Sequence, residues 1–326
     1  MKLRVPFASC AHINRRYLEA LRFTVILWRH SSIDFFQNIM AFSLKGVAYI
    51  TGAGSGEYTA IWRLFAPRHR DLANLTTTGI GQYAAYSMAR LGVTSFALAD
   101  RNPVTETVSN LKQEFPSARI LELQLDVSDE NAVNDSVERT VKEFGRLDFA
   151  VNNAGIGGAA QTTDQIEKTD FDRVMSVNTT GVWLCQRAQI RQMLKQEKMS
   201  DSYRSYRGSI VNTASMYGKI GPSKATPATA YSTSKHAVVG LTRADAIAFA
   251  PKGIKINAVC PGYVLTPLVK QHMSAGSVLE DERRRIPLER MASMEEIGDL
   301  IAFLHSDASS YIVGECLVAD GGLTIQ

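Results

Sequence analysis

The stretch Val47-Ala-Tyr-Ile-Thr-Gly-Ala-Gly-Ser-Gly56 places a short apolar run directly before a glycine-rich turn. An apolar run of this length that ends in glycines is typical of a buried strand followed by a turn. Glycines at such a turn let the backbone approach a pyrophosphate, which then lies against the amide groups of the next helix. A glycine-rich turn is also compatible with an ordinary loop, so its assignment depends on the rest of the chain.

The same arrangement recurs along the sequence. Six more short apolar runs alternate with longer helical patterns, and polar or glycine residues follow each run. This alternation predicts an α/β fold: a Rossmann-like, doubly wound, seven-stranded parallel sheet flanked by helices, in a single domain. Ligands of such sheets bind at the carboxyl ends of the strands. The six further runs are 95–99, 120–125, 147–151, 209–212, 255–259 and 315–319.

The segment Tyr231-Ser-Thr-Ser-Lys235 supplies a pair of residues suited to proton chemistry. Positions i and i+4 share one face of a helix, so both side chains are expected to point into the same cleft. A tyrosine titrates near pH ~10. One positive charge about 5 Å away, at an effective dielectric of about 20, favours the phenolate by roughly 3 kcal/mol. A lone Tyr-x-x-x-Lys is also typical of a solvated helix face.

The end of the second predicted strand bears on cofactor choice. Asp100 closes this strand about 20 residues after Gly81, where a carboxylate accepts hydrogen bonds from the ribose hydroxyls of NAD and repels the 2′-phosphate of NADP. Arg101 follows immediately and could instead face a phosphate. We therefore favour NAD(H) over NADP(H), with NADP(H) left open.

Taken in order, the motifs resemble those of the short-chain dehydrogenase/reductase family, in its compact single-domain form. The resemblance extends from Met40 to the C terminus, apart from one interruption. It implies an NAD(P)-dependent oxidoreductase, an alcohol dehydrogenase or ketone reductase that moves hydride between nicotinamide and a secondary alcohol or ketone. The motifs are Thr51-Gly, Gly-Ile-Gly81, Asp126-Val127, Asn152-Asn-Ala-Gly155, Asn178, Ser215, Tyr231-x-x-x-Lys235, Pro261-Gly262 and Asp320-Gly-Gly322.

The resemblance implies catalytic roles for four residues. Ser215 would hydrogen-bond the substrate oxygen, and Tyr231 would act as the general acid–base at that oxygen. Lys235 would lower the tyrosine pKa and hold the ribose hydroxyls. Asn178, in the predicted helical stretch 171–195, would anchor a water that relays protons. Taken alone, Ser215 is also compatible with a strand-end cap and Asn178 with a satisfied core amide.

The resemblance also implies the cofactor contacts, and no metal is expected. The residue at 126 would read the adenine amino group, and the segment after residue 260 would fix the nicotinamide carboxamide. The predicted cofactor-binding residues are Gly52, Gly54, Ser55, Gly56, Ile80, Gly81, Asp100, Arg101, Asp126, Val127, Asn152, Ala154, Gly155, Tyr231, Lys235, Pro261, Gly262, Val264 and Thr266.

One segment interrupts the resemblance. The family's turn would run unbroken from Gly56 into Ile80-Gly81, but the 23 residues 57–79 separate them. We hypothesise a translated, unspliced intron of 69 nucleotides, which suits a fungal gene and would begin with a donor-like GTGAGT across Gly56-Glu57-Tyr58. The alternative is a genuine surface insertion. If the insertion spoils the turn, the chain would instead be a catalytically impaired dinucleotide-binding or interaction protein.

The first 39 residues precede the resemblance and carry six basic against two acidic residues. They account for the net charge of +4, so the basic balance does not indicate nucleic acid. This leader, expected to be disordered, is interpreted as a mitochondrial presequence or a wrongly assigned start. The second reading, slightly favoured, places a domain of residues 40–326 in the cytoplasm.

Composition and analogy complete the expectations. Four scattered cysteines without a Cys-x-x-Cys indicate reduced thiols in an intracellular protein. No apolar run approaches the ~20 residues of a membrane span. The charged segment 277–285 predicts a helical lid over the substrate. By analogy we expect a small-molecule alcohol or ketone substrate, a homodimer or homotetramer, and a role in fungal secondary metabolism or general carbonyl reduction.

Overall fold

The computed structural model describes residues 42–54, 79–159, 161–266 and 277–326. The predictions for the leader 1–39, for Ser55 and Gly56, and for 57–78 of the insertion lie outside the described residues.

Seven parallel strands form one sheet in the order β3-β2-β1-β4-β5-β6-β7, which confirms the predicted fold class. Each predicted apolar run coincides with a strand. The inner strands are fully buried because helices cover both faces of the sheet, whereas the edge strands are partly exposed. The strands are β1 (Val47–Thr51), β2 (Ser95–Asp100), β3 (Arg119–Gln124), β4 (Phe149–Asn152), β5 (Gly208–Thr213), β6 (Ile254–Pro261) and β7 (Cys316–Ala319).

Eight α-helices lie within the described ranges. Helices α1, α2 and α8 pack on one face of the sheet, and α3 and α5 pack on the other. None of the described helices is long and apolar enough to cross a membrane. The helices are α1 (Ile80–Arg90), α2 (Thr105–Glu114), α3 (Glu130–Phe144), α4 (Lys168–Met175), α5 (Val182–Met193), α6 (Thr229–Phe249), α7 (Val278–Arg284) and α8 (Met294–His305).

The first strand shows how the two core layers are built. Side chains alternate along a strand, so Ala48 and Ile50 belong to the layer under α1 and α8, whereas Tyr49 belongs to the layer under α3 and α5. All three are fully buried, and full burial of a side chain the size of isoleucine contributes about 1.5–3 kcal/mol. The Tyr49 hydroxyl bonds to Ser136 at 2.7 Å, which satisfies its polar atom.

Side chains and glycine fix several helix ends. Helix α3 begins after Asp129, whose carboxylate accepts from two backbone amides, and it ends at Gly145 in the left-handed conformation, with a φ of 86°. Helix α8 begins with a capping box formed by Ser293 and Glu296. Helix α7 confirms the predicted helical segment that follows Ser277.

The strand order locates the binding edge. Strand β1 lies between β2 and β4, so the connections from the centre of the sheet run in opposite directions on its two sides. A crevice forms outside the carboxyl ends of the strands at such a switch point. The glycine turn after β1 and the Asn-Asn-Ala-Gly segment after β4 therefore meet at the same edge.

Candidate functional site

The glycine turn brings β1 and α1 into direct backbone contact. Gly52 has a φ of 65°, a left-handed conformation that favours glycine. A Cβ on Gly81 would lie 2.3 Å from the carbonyl oxygen of Gly52, and a Cβ on Gly54 would lie 3.1 Å from Asp100 Cγ. The predicted glycines 52, 54 and 81 are thus close-approach positions, and the two halves of the turn meet across the insertion.

An open cleft lies above this turn at the carboxyl ends of β1, β2 and β4. The sequence missed several of its lining residues, because they are apolar or lie next to a recognised motif. The cleft is lined by Gly52, Gly79, Ala99, Asp100, Arg101, Asn102, Leu125, Asp126, Val127, Asn153, Ala154, Gly155, Ile156 and Val177.

Two carboxylates define the electrostatics of this cleft. Asp100 is buried, and its Oδ2 accepts a hydrogen bond of 3.0 Å from the amide of Gly54. Burial raises the pKa of Asp100, against the opposing effect of the backbone donors around it. Asp126 is exposed, and hydrogen bonds from Ser128 lower its pKa. Arg101 is exposed beside Asp100, so both charges border the same end of the cleft.

The predicted cofactor contact of Asn152 stays a prediction. Its side chain exchanges hydrogen bonds with Gln189 and donates to Asn212, in a buried amide network beneath α5. Strand alternation turns its neighbour Asn153 the other way. Asn153 Nδ2 donates to the carbonyl of Gly52 at 3.1 Å and lines the cleft. The position of Asn153, next to Asn152 in the Asn-Asn-Ala-Gly motif, could have indicated that it lines the cleft.

The residues at the cleft fit a dinucleotide. A Cβ at Gly52 or Gly81 would collide with backbone, so the chain keeps these positions free of side chains where a phosphate must approach closely. The Oδ1 atom of Asn153 is buried without a hydrogen-bond partner among the described residues, which a polar ligand would supply. The side chain of Ile80 packs in the apolar core behind the turn, and its predicted contact with the cofactor stays a prediction.

Tyr231 and Lys235 share one face of α6, as their spacing predicted. Lys235 Nζ lies 5.5 Å from the centre of the Tyr231 ring. Lys235 is 3% exposed, and its ammonium donates to the carbonyl of Thr213 at 2.7 Å. Burial lowers the pKa of Lys235 to about 8. The helix therefore holds a cation at a fixed distance from the phenol.

Asn178 joins the same centre from a segment of π-helix, Ser176–Gly181, that links α4 to α5. Its Oδ1 accepts from the amide of Ile156 and its Nδ2 donates to the carbonyl of Ile156, both at 2.8 Å. Nδ2 also bonds to Ser234 on α6 at 3.1 Å. A Cβ on Gly155 would lie 3.3 Å from Asn178 Oδ1 and 3.5 Å from Lys235 Nζ, so these three residues converge.

Ser215 lies beyond the end of β5 and begins a 3₁₀ turn, Met216–Gly218. Its hydroxyl accepts from the amide of Tyr217 at 3.1 Å, as a cap does. Tyr231 is 8% exposed and packs in one apolar cluster with Met216 and Tyr217. The four predicted catalytic residues therefore reach this edge of the sheet from β5, α6 and the π segment. Their roles stay predictions.

The segment after β6 is held by backbone hydrogen bonds. Gly262 donates to the carbonyl of Ala319, and a Cβ on Gly262 would lie 2.7 Å from Asp320 Cα. Val264 forms a parallel bridge with Ala292, and the amide of Thr266 donates to the carbonyl of Val264. Pro261 ends β6 itself. These residues lie two strands away from the β1–β4 switch point. No group of His, Cys, Asp and Glu with metal-ligand proximity occurs in the described part of the chain.

The lowered pKa of Lys235 predicts a pH dependence. A lowered pKa means that the ammonium is present below pH about 8 and is lost as the pH rises through that value. We expect kcat/KM for ketone reduction to fall across this range, because kcat/KM reports on groups of the free enzyme. Arginine does not deprotonate there, so Lys235→Arg should remove this limb of the profile. Lys255→Arg is the control, since burial also lowers the pKa of Lys255 to about 8. If kcat/KM of Lys235→Arg still falls as the pH rises through about 8, the fall must come from a group other than Lys235.

Comparisons with known proteins agree with this geometry. A family model described as enoyl-(acyl carrier protein) reductase matches residues 75–324. The short-chain dehydrogenase anuF of Penicillium roqueforti (strain FM164) is 34% identical over 298 residues, covering 88% of this chain and 99% of that protein. Short-chain dehydrogenase fogB of Aspergillus ruber (strain CBS 135680) is 36% identical over 260 residues, covering 76% and 93%. The chain belongs to the short-chain dehydrogenase/reductase family.

The structure of levodione reductase superposes on this short-chain dehydrogenase with a TM-score of 0.71 and 30% identity, covering 86% of this chain and 97% of that one. The family membership predicted from the motifs is confirmed, and so is the enzyme class. This short-chain dehydrogenase is an NAD(P)(H)-dependent oxidoreductase that acts on small-molecule alcohols or ketones. The choice between the two cofactors is left open by the comparisons.

Proposed function

We propose that this short-chain dehydrogenase interconverts a secondary alcohol and a ketone, with Tyr231 as the residue that moves the proton. The observation that carries the proposal is the fixed pair on α6, with Lys235 Nζ at 5.5 Å from the Tyr231 ring centre. When bound, the nicotinamide group supplies or accepts the hydride. The residues of the chain bind it, orient the substrate oxygen and manage the proton.

The positions of these residues support the following proposed roles. The Tyr231 hydroxyl is proposed to donate its proton to the carbonyl oxygen during reduction and to accept it back during oxidation. Ser215, at the same edge of the sheet, would orient that oxygen. Lys235, with its ammonium anchored on Thr213, favours the phenolate and would reach the ribose hydroxyls. Asn178 ties the Ile156 loop to α6, so it would hold these groups in register.

We further propose that NAD(H) is preferred. Asp100 is buried at the end of β2 with its carboxylate at the cleft, where it would accept from ribose hydroxyls and repel a 2′-phosphate. Asp100→Asn keeps an acceptor for the Gly54 amide but removes the charge. We expect this change to raise kcat/KM for NADPH relative to NADH about tenfold or more, since like charges placed together cost several kcal/mol. The exposed residue Glu122 offers a control as Glu122→Gln.

The competing assignment for the cofactor uses Arg101. If the guanidinium receives a 2′-phosphate, wild-type enzyme should prefer NADPH, and Arg101→Ala should weaken NADPH selectively. An unchanged cofactor ratio in Asp100→Asn would contradict the assignment of specificity to this carboxylate.

The function is tested on the chain as written. Fluorescence titration with NADH and then NADPH measures cofactor binding, and a screen of ketones with the better cofactor measures turnover. A second candidate function is a dinucleotide-binding protein without turnover. The insertion at the glycine turn favours this alternative. If neither cofactor binds, and deletion of 57–79 restores affinity, the catalytic residues are intact but this chain is a defective reading of its gene.

We propose a homo-oligomer, either a dimer or a tetramer, that works in the cytoplasm. In support, α5 exposes Trp183 with Arg187 stacked 4.3 Å above its ring, and α6 exposes Ile247. Light scattering coupled to gel filtration measures the assembly directly, and a monomeric mass would refute it. Two relatives from fungi support a fungal setting, in which reduction of a secondary metabolite is the proposed role.

A further inference from the structure

Two tyrosines outside the predicted catalytic set lie in the same cluster as Tyr231. The hydroxyl oxygens of Tyr217 and Tyr263 are 2.8 Å apart, and the two rings meet edge to face at 89°. The side chains around them are largely apolar, among them Met216, Leu279, Ile286 and Met291. The tyrosine pair thus introduces hydrogen-bonding atoms into an otherwise apolar cluster beside Tyr231, the residue proposed to act on the substrate.

A line of hydrogen bonds leads from this pair to a buried carboxylate on α7. Tyr217 is 3.3 Å from the Thr226 hydroxyl, and Thr226 is 2.9 Å from the Ser223 hydroxyl. Ser223 donates to Glu282 Oε1 at 2.7 Å. Glu282 is 3% exposed, and its other oxygen accepts from Arg285 at 2.6 Å. The line therefore ends on a paired, buried acid.

The carboxylate at one end constrains where each hydroxyl hydrogen goes. A carboxylate only accepts, so the single hydroxyl hydrogen of Ser223 is committed to Glu282. Thr226 must then donate to Ser223. Tyr263 bonds to both Tyr217 and Thr226, so its own hydrogen goes to one of these two hydroxyls. Each hydroxyl therefore uses its one hydrogen within this group of residues, and none is left over.

Tyr263 lies at the end of this line of hydrogen bonds opposite to Glu282. It is partly exposed, and it directly follows Gly262 in the segment after β6. Burial and the neighbouring Tyr217 raise the pKa of Tyr263, so the group remains a neutral phenol near neutral pH. With its hydrogen directed at Tyr217 or at Thr226, the Tyr263 oxygen can only accept a hydrogen bond from a ligand.

We propose that Tyr263 accepts a hydrogen bond from a hydroxyl group of the substrate, so that the enzyme selects hydroxyketones, and the corresponding diols, over ketones that lack a second hydroxyl. The inference rests on the proposed function, because it names the substrate class of the same site. An ether or carbonyl oxygen of the substrate next to Tyr263 has no hydrogen to donate, so it would form no hydrogen bond with the Tyr263 oxygen. The apolar side chains of this cluster would contact the carbon skeleton of such a substrate.

The test compares three ketones of similar shape: 4-hydroxy-, 4-methoxy- and 4-methylcyclohexanone, each with NADH and with NADPH. For the wild-type enzyme we expect kcat/KM for the hydroxyketone to exceed that for the methoxyketone about three- to tenfold, the range expected for one hydrogen bond. Tyr263→Phe should bring this ratio close to one. The fully exposed Tyr311 supplies the control Tyr311→Phe, which should keep the wild-type ratio.

The outcomes separate the inference from the proposed function. If the ketones are reduced but the ratio is near one in the wild type, or is unchanged in Tyr263→Phe, the inference is overturned and the function stands. If none is reduced with either cofactor, the proposed function fails. Binding of the three compounds, measured by saturation-transfer NMR, then decides the inference. Equal binding overturns it, whereas selective binding of the hydroxyketone that is lost in Tyr263→Phe supports it.

Discussion

Replacing Tyr231 by Phe is expected to lower kcat about 10²- to 10⁴-fold, the contribution of a positioned general acid–base. The change removes one hydroxyl and keeps the ring that packs in the cluster with Met216 and Tyr217. Binding of NADH should therefore remain, because the glycine turn and Asp100 are untouched. Steady-state turnover, together with a fluorescence titration of cofactor, measures both quantities in the same preparation.

The control for this substitution is Tyr311→Phe, at a tyrosine that is fully exposed. It removes the same atom from a position outside the site and should leave turnover unchanged. A Tyr231→Phe enzyme that retains turnover within tenfold of the wild type would refute the acid–base role. A wild-type protein that binds NADH but reduces no ketone would instead favour a dinucleotide-binding protein.

Gly81→Ala is expected to reduce affinity for the cofactor about a hundredfold or more and to destabilise the fold by about 1–3 kcal/mol. The added methyl group would lie 2.3 Å from the carbonyl oxygen of Gly52 and 2.9 Å from its carbonyl carbon. Both are backbone atoms of the turn itself, so relief requires α1 to move away from β1. That movement opens the place where a phosphate would meet the amide end of the helix.

A graded series makes this prediction sharp. Gly54→Ala meets the side chain of Asp100 at 3.1 Å, and a side chain can shift, so its effect should be smaller. Gly240→Ala lies on α6 with open space around it and should be neutral or stabilise by up to ~1 kcal/mol. Thermal unfolding and NADH titration measure the three variants. Full affinity in Gly81→Ala would show that this contact does not shape the cofactor site.

The fold was predictable because each strand and helix is indicated by a pattern of residues close together in the sequence. Each strand is a short apolar run, and the requirement that both faces be covered makes these runs nearly continuous, as in β1 and β2. The catalytic pair was predictable for a similar reason, since four residues of spacing on a helix place Tyr231 and Lys235 together. Patterns of this range depend little on the rest of the chain.

The contacts that the sequence did not reveal are those that depend on residues far away in the chain. Asn152 faces α5 because Gln189 and Asn212 receive its amide, and both residues lie far away in the sequence. Tyr263 was missed because its partner Tyr217 precedes it by 46 residues. The π segment around Asn178 depends on contacts with the Ile156 loop and with Ser234, which no helical periodicity reveals.

The π segment between α4 and α5 also has a consequence for how this gene can change. A π turn contains one residue more than an α turn, and a helix rotates by about 100° for each residue it gains or loses. Loss of one codon within Ser176–Gly181 could restore an unbroken α-helix, yet it would rotate α4 relative to α5 about their common axis. Point substitutions can therefore accumulate along α4 and α5, whereas changes of length there are expected to be selected against.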